Sequence, residues 1–360
     1  MLFSNTEFGR TFFRRTRLVA LGNHLKLRIF LASAPLFIAA GVAITVGVGG
    51  GCAKASDTSV TTDQGCNEQA TAVCKKLSDC DPFALQSLYG DETTCDGQQK
   101  QECLALLQAE GTSRTASQAG DCATALRAQS CDDYTSNTAI AACATQPGAL
   151  AGGKACIDDA QCTSAYCRVT STSPGACGLC STNPPAKEGE TCSGSTPCGV
   201  GLSCSGGATP TCVGIGTSGS ECSASSPCTA GSTCIFSVGD GGSSVGSCVA
   251  QGTQGSSCDA VSAPCNSSQG FACDPASHQC ASITLAPSDQ GCDNDLTQCA
   301  AGTCRASPEA GPEAGADEPR ICIPAATVGG ECDVVAGPDC MPPALCTQHV
   351  CTIKQASSCH

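Results

Sequence analysis

The chain predicts a small disulfide-rich fold: a short α-helical, disulfide-linked N-terminal module followed by a tandem array of loop and short-β four-cysteine units. Three observations carry that prediction. Beyond residue 55, 34 of 305 residues are cysteine, about 11%, above the level at which composition alone marks a disulfide scaffold. The same stretch holds only six aromatic residues, Phe83, Phe236, Phe271, Tyr89, Tyr134 and Tyr166, and no tryptophan. Large side chains supply most of the apolar area that drives burial, so covalent cross-links must replace a conventional core here. Finally, one cysteine pattern recurs six times at a period of 30 to 40 residues, which marks an array of small units rather than one large domain.

Residues 1–55 read as an export signal. Arg14, Arg15, Arg17, Lys26 and Arg28 precede the apolar run IFLASAPLFIAAGVAITVGVGGG, and basic residues followed by apolar and then small ones make a secretory signal. The run is about 20 residues, long enough to span a bilayer as an uncleaved signal anchor. Gly49-Gly50-Gly51-Cys52 resembles the lipobox of bacterial lipoproteins, which implies acylation of Cys52 and a membrane tether through that lipid. Ala53-Lys54-Ala55 offers a second exit, for ordinary signal peptidase. Either cleavage leaves 34 cysteines, an even number that can close as 17 disulfides; lipidation at Cys52 is the preferred route. All routes export the body to an oxidising place, either the cell envelope, with an outer-membrane lipoprotein favoured, or the extracellular space.

A Ser/Thr/Asp-rich tether, 56–65, leads into a helical cysteine-rich module, 66–150. Its eight cysteines are Cys66, Cys74, Cys80, Cys95, Cys103, Cys122, Cys131 and Cys143, in an alanine-, glutamine- and leucine-rich background. CNEQATAVCKKLSDC predicts a helix, and Asp81-Pro82 is a good cap and first-turn pair for a second, DPFALQSLYG. TTCDGQQKQECLALLQAEG and TASQAGDCATALRAQSC predict two more. Cys66 and Cys74 are eight apart, as are Cys95 and Cys103, about two helical turns, so each pair shares one helix face and two helices can be laced together. The apolar spacing of Phe83, Leu85, Leu88 and Tyr89 fits a buried helix face rather than a ligand groove.

From Gly152 onward helix signals give way to Gly-Gly, Ser-Gly, Pro-Gly and Asn-Pro turns. The clearest unit is GETCSGSTPCGVGLSCSGGATPTC, repeat 2 (189–214), with Cys192, Cys198, Cys204 and Cys212. Repeat 1 (152–180) uses Cys156, Cys162, Cys167 and Cys177; repeat 3 (219–250) Cys222, Cys228, Cys234 and Cys248. Repeat 4 (255–281) uses Cys258, Cys265, Cys273 and Cys280; repeat 5 (290–323) Cys292, Cys299, Cys304 and Cys322; repeat 6 (329–351) Cys332, Cys340, Cys346 and Cys351. A tail, 352–360, follows. Each copy has a glycine one to three residues before its first cysteine, and three place proline directly before the second. Four cysteines allow three connectivities; interleaved first-to-third and second-to-fourth bridges are preferred. The third-to-fourth interval varies from 4 to 17 residues, so those insertions are expected to be loops at corresponding places. The acidic, proline-rich insert 305–320 is expected to be flexible. Cys180 and Cys359 fall outside the fourfold count, with no favoured partner.

The G-x-x-C…PC…C…C units resemble Dickkopf N-terminal-type and EB-type cysteine-rich modules of secreted proteins. The export signal, the alanine-rich cysteine helices and CIDDAQCTSAYC (Cys156 to Cys167) together resemble cysteine-rich surface proteins of myxobacteria. That resemblance implies an exported architecture and names no ligand.

Charge and motif content narrow the function further. After residue 55 there are 11 basic and 31 acidic residues, a net of −20, which repels phosphate backbones and argues against nucleic acid as a partner. Cys177-Gly-Leu-Cys180 lacks the βαβ setting of a redox motif. His24, His278, His349 and His360 are too scattered for zinc sites. Asp293-Asn294-Asp295 lacks the glycine and distal glutamate of an EF-hand, and is expected to be a turn. The glycine-rich GDGGSSVGSC has no lysine and no helix after it, and catalytic signatures are missing. The expected function is a non-enzymatic, cofactor-free, disulfide-stabilised surface or secreted protein with a structural or adhesive role, binding a surface or extracellular protein or glycan. A secreted protease inhibitor is the alternative, and an enzyme the least favoured.

Overall fold

A computed structural model describes residues 60–135, 138–169, 176–193, 196–199, 202–205, 209–216, 219–222, 228–229, 231–236, 246–259, 264–292, 296–306 and 320–359. The signal segment with Cys52, the Asp293–Asp295 turn, residues 239–245 of the glycine-rich stretch, most of the 305–320 insert and His360 lie outside the described residues.

Side-chain caps set where the helices begin. Thr61 Oγ1 accepts the Gln64 N–H before α1, Thr62–Cys80, and the Asp81 carboxylate accepts the Ala84 N–H before α2, Pro82–Tyr89. Asp91 caps α3, Glu92–Leu107, and Thr115 caps α4, Ala116–Ala128. Each such oxygen satisfies one of the N–H groups a helix start leaves unpaired. A short α5, Cys131–Thr135, follows. Helix α1 packs against both α3 and α4. Cys66 bonds Cys103 and Cys74 bonds Cys95, so the eight-residue spacings do lace α1 to α3, and the crossed order makes the two antiparallel. At Gly65 the start of α4 comes so close that a Cβ would collide with the Ala116 carbonyl. Cys80–Cys131 and Cys122–Cys143 complete four bridges in the module. Leu77, Leu85 and Tyr89 form its core, with Leu88 half-buried beside them; Leu126 packs with Val73 in a second cluster.

The array is a succession of small strand pairs. Unit 1 has a three-stranded sheet from β1, Ala155–Cys156, β2, Cys167–Arg168, and β3, Gly178–Cys180, with β3 central. Unit 2 has the hairpin β4, Leu202–Cys204, with β5, Cys212–Gly214. Unit 3 repeats the three-stranded form with β6, Glu221–Cys222, β7, Ser232–Phe236, and β8, Gly246–Ala250. Unit 4 pairs β9, Phe271–Asp274, with β10, Gln279–Ser282. Unit 5 contains a parallel pair, β11, Thr284–Ala286, and β12, Thr297–Cys299, then the hairpin β13, Gly302–Ala306, and β14, Arg320–Pro324. Unit 6 ends in β15, Leu345–Thr347, and β16, Val350–Thr352.

One hydrogen-bonding plan underlies all six. The third and fourth cysteines are direct cross-strand partners, as Cys204 with Cys212 or Cys346 with Cys351. Both therefore project from one face of the hairpin, where the first and second cysteines meet them. The N–H three residues before the first cysteine donates to the carbonyl of the fourth, for example Gly189 to Cys212 at 2.8 Å and Gly329 to Cys351 at 2.8 Å. Gly153, Gly189, Gly219, Gly255 and Gly329 hold this position at φ between 78° and 88°, a left-handed conformation that glycine adopts without strain. Unit 5 places Asp289 there at φ 64°. Six residues before the first cysteine, Leu150, Ala186, Gly216, Gly252, Ala286 and Ala326 pair in parallel with the second.

The array does not run out as a covalent stalk. Gly270 of unit 4 lies against the Phe83 ring, where a Cβ would come within 2.6 Å. Ala301 of unit 5 donates its N–H to the Gln86 carbonyl of α2 at 3.1 Å. Met341 of unit 6 enters the cluster of Leu77, Leu85 and Tyr89, while Ala105 of α3 packs with Ala344 and Ile353. Unit 1 is docked as well. Ser113 N–H donates to the Ala160 carbonyl at 2.9 Å, and Arg114 grips Asp158 with two bonds of 2.9 and 3.0 Å. The units therefore fold back on the helices.

Candidate functional site

Every cysteine beyond Cys52 is in a disulfide. In unit 2, Cys192 bonds Cys204 and Cys198 bonds Cys212. Unit 3 pairs Cys222–Cys234 and Cys228–Cys248, unit 4 Cys258–Cys273 and Cys265–Cys280. Unit 5 pairs Cys292–Cys304 and Cys299–Cys322, unit 6 Cys332–Cys346 and Cys340–Cys351. All follow the interleaved order. Cysteine trios such as Cys258, Cys265 and Cys280 bring sulfurs within 4.8 Å of one another. They are stacked bridges, whose oxidised sulfurs offer no thiolate to a metal.

Unit 1 corrects the spacing argument. Cys156 bonds Cys167, but Cys162 bonds Cys180, not Cys177. Cys180 lies opposite Cys167 in the sheet, and its carbonyl accepts the Gly153 N–H at 2.8 Å, so it fills the fourth position. Cys177 instead bonds Cys359, 182 residues away. Neighbours in the C-x-x-C therefore bond different partners. CIDDAQCTSAYC also has a structural explanation. Asp158 caps the turn Asp159–Gln161 and holds Arg114, and Asp159 accepts the Cys167 N–H at 2.7 Å. Gln161, 1% exposed, accepts the Ile157 N–H and donates to the Glu110 carbonyl. The motif seats unit 1 on the helical module.

The feature that sequence reading missed is at the tip of unit 6. Val334 and Val335 are 61% and 81% exposed, the highest among the exposed large apolar residues described. They sit in ECDVVAGPDC, between two bridged cysteines. Asp333 accepts the N–H groups of Val335 at 2.7 Å and Ala336 at 2.9 Å, and its carbonyl accepts the Gly337 N–H at 2.8 Å. The N–H groups, Ala336 first and Val335 next, hold the Asp333 carboxyl below the usual range. From unit 5, Arg305 donates to the Val335 carbonyl and, at 2.6 Å, to Asp339, which also accepts from the Thr303 hydroxyl at 2.7 Å. The loop is thus braced from a second unit.

Beside it is a cleft of about 450 Å³ lined by Glu331, Asp333, Gly337, Pro338, His349 and Val350. Its far wall is the β15–β16 turn, where Gln348 and His349 stand at φ 52° and 63°. They are the two central residues of this two-residue hairpin turn, a geometry in which both take positive φ. A sequence signal was there to find: two adjacent valines in the first-to-second cysteine interval, where no other unit has two large aliphatic residues in a row.

Scanned against protein-family models, curated proteins and solved structures, the chain finds no match in any of the three.

Proposed function

We propose that the protein is a non-enzymatic binding protein, held at the cell surface through a lipid on Cys52, that offers the Val334–Val335 loop to an extracellular or surface partner. Its coarser character is plain: seventeen disulfides belong to a protein that matures in an oxidising, exported setting. No helix among the described residues is long and apolar enough to cross a membrane. The observation carrying the proposal is the pair of adjacent aliphatic side chains, solvent-exposed on a loop whose backbone is fixed by Asp333 and Arg305. Scattered surface apolars need no explanation; what supports reading this loop as a contact surface is that the two valines are adjacent, braced and beside a cleft. A preorganised loop also loses little entropy on binding. Aliphatic side chains favour a protein over a glycan.

The inhibitor reading gains nothing from this loop. A protease takes its substrate as an extended strand, whereas Val334–Ala336 form a turn.

The test is to pass secreted proteins of the producing culture over the immobilised, oxidised protein. Saturable binding that V334D/V335D abolishes, with melting unchanged, is the expected result. Binding indifferent to that double variant overturns the site. For the anchor, palmitate labelling should vanish in Cys52→Ala, and a mature N-terminus at Ser56 would rule the lipid out.

A further inference from the structure

Two of the seventeen bridges differ from the rest. In each of the others at least one cysteine is buried; in Cys80–Cys131 and Cys177–Cys359 neither is. The two differ in reach. Cys80–Cys131 closes 51 residues within the helical module, whereas Cys177–Cys359 joins unit 1 to the tail beyond unit 6. No other disulfide links one unit to another or to the tail. The chain of units is therefore a covalent ring with a single closure.

Packing near the closure is thin. Ile353 is buried against Ala105 and anchors the start of the tail. Past it, Lys354 donates to the Ala176 carbonyl, and the turn Ala356–Ser358 contributes no buried residue. Reducing agents reach disulfides by thiolate attack, so access favours these two bridges over those with a buried cysteine.

We infer that Cys177–Cys359 is a reducible latch, a thiol-exchange site at which an external dithiol opens the ring while leaving the units folded. The thiolate of the dithiol attacks one sulfur, forming a mixed disulfide and releasing the other cysteine as a thiolate. The second thiol of the reductant then displaces the bound cysteine. The products are two protein thiols and the oxidised, cyclic dithiol. The exchange stops there. Cys177 is three residues from Cys180, but the Cys162–Cys180 bridge is buried, at 0% and 3% exposure, against inward attack. Opening frees residues 355–359 from unit 1, while unit 6 stays seated through Met341 and Ile353.

Titration of the oxidised full chain with dithiothreitol, followed by alkylation and peptide mapping, reads the order of opening. Cys177 and Cys359 should label at a dithiol concentration at least tenfold below that for any bridge with a buried cysteine. Labelling together with the bridges inside units overturns the latch. Hydrogen exchange on C177A/C359A gives the second readout. Faster exchange confined to 355–359 is expected, with β3, Gly178–Cys180, and the Gly153, Gly189 and Gly255 N–H groups still protected. Unchanged exchange, or loss of protection in β3 or in any other unit, also overturns it.

Discussion

The helical module and the four-cysteine units use the same bond for different ends. In the module, Cys74–Cys95 lies beside Leu77, Leu85 and Tyr89, and the helices carry their own hydrogen bonds. In unit 2 the buried cluster is Ala186, Cys192 and Cys212, with Cys198, Leu202 and Cys204 packed around them. Sulfur there is most of the core. The difference teaches that a disulfide is an addition where side chains already exclude water, and the core itself where they do not.

The sharpest way to break that comparison removes one bridge from each region. In the chain-entropy account, each closes a short loop and contributes about 3 kcal/mol. C74A/C95A should lower the melting temperature yet keep helical circular dichroism, because Leu77, Leu85 and Tyr89 still pack. C192A/C204A removes half the sulfur core of unit 2 as well as a cross-link. The protection of the Gly189 and Cys212 N–H groups should then be lost outright, with the helices unaffected. If hydrogen exchange finds unit 2 still protected and the helices melted, the contrast is wrong.

A smaller effect separates the regions by pH. Burial pushes the Asp81 carboxyl up to about 6, against the pull of the Ala84 N–H; burial and Glu92 raise Asp96 in the same direction. A carboxyl that binds its proton more tightly folded than unfolded, where its pKa is near 3.9, makes stability fall as pH rises from about 4 to 6. The shift corresponds to at most about 3 kcal/mol, and partial exposure reduces that to about 1–2 kcal/mol. In the array the sign reverses. The Ser277 hydroxyl and Ala276 N–H hold Asp274 below its usual value, as the Ala336 and Val335 N–H groups hold Asp333. Their support is present at neutral pH and is lost as pH falls through the acid range. Denaturant midpoints followed by far-ultraviolet circular dichroism should therefore be higher at pH 4 than at pH 7. Asp81→Asn, which keeps a capping oxygen, should flatten that slope. A midpoint that rises with pH in the native protein would contradict the burial argument.

These contrasts also explain what the sequence made legible. Cysteines spaced by two helical turns announce a laced helix pair, because helix periodicity is local. Six recurrences of one spacing announce units, while the spacing alone leaves three connectivities open within each. Cys177 against Cys180 was not legible. The third-to-fourth interval varies freely, and the choice depends on which residue falls opposite Cys167. Nor was the folding back of the array. It rests on single contacts, Gly270 under Phe83 and Met341 among leucines, that no periodicity announces. The Val334–Val335 loop lies between these cases: its residues are visible in sequence, but its exposure and its brace from Arg305 are not.

The finest test concerns one backbone angle repeated six times. Five units place glycine three residues before the first cysteine, and nothing stands within 4 Å of a Cβ built on Gly153, Gly189, Gly219, Gly255 or Gly329. Only conformation is therefore selected there, not space. Asp289 adopts the same left-handed angle in unit 5 and donates the same bond, to the Cys322 carbonyl at 2.9 Å. Aspartate tolerates this region better than most residues but not as readily as glycine. Asp289→Gly should thus stabilise unit 5 by a few tenths of a kcal/mol up to about 1 kcal/mol, less what glycine gains in freedom when unfolded. Gly329→Ala should destabilise unit 6 by about 1 kcal/mol. Slower exchange of the Cys322 N–H in the first variant and faster exchange of the Cys351 N–H in the second would check both. Equal exchange in Gly329→Ala and the native protein would mean that the left-handed turn is not what closes the unit.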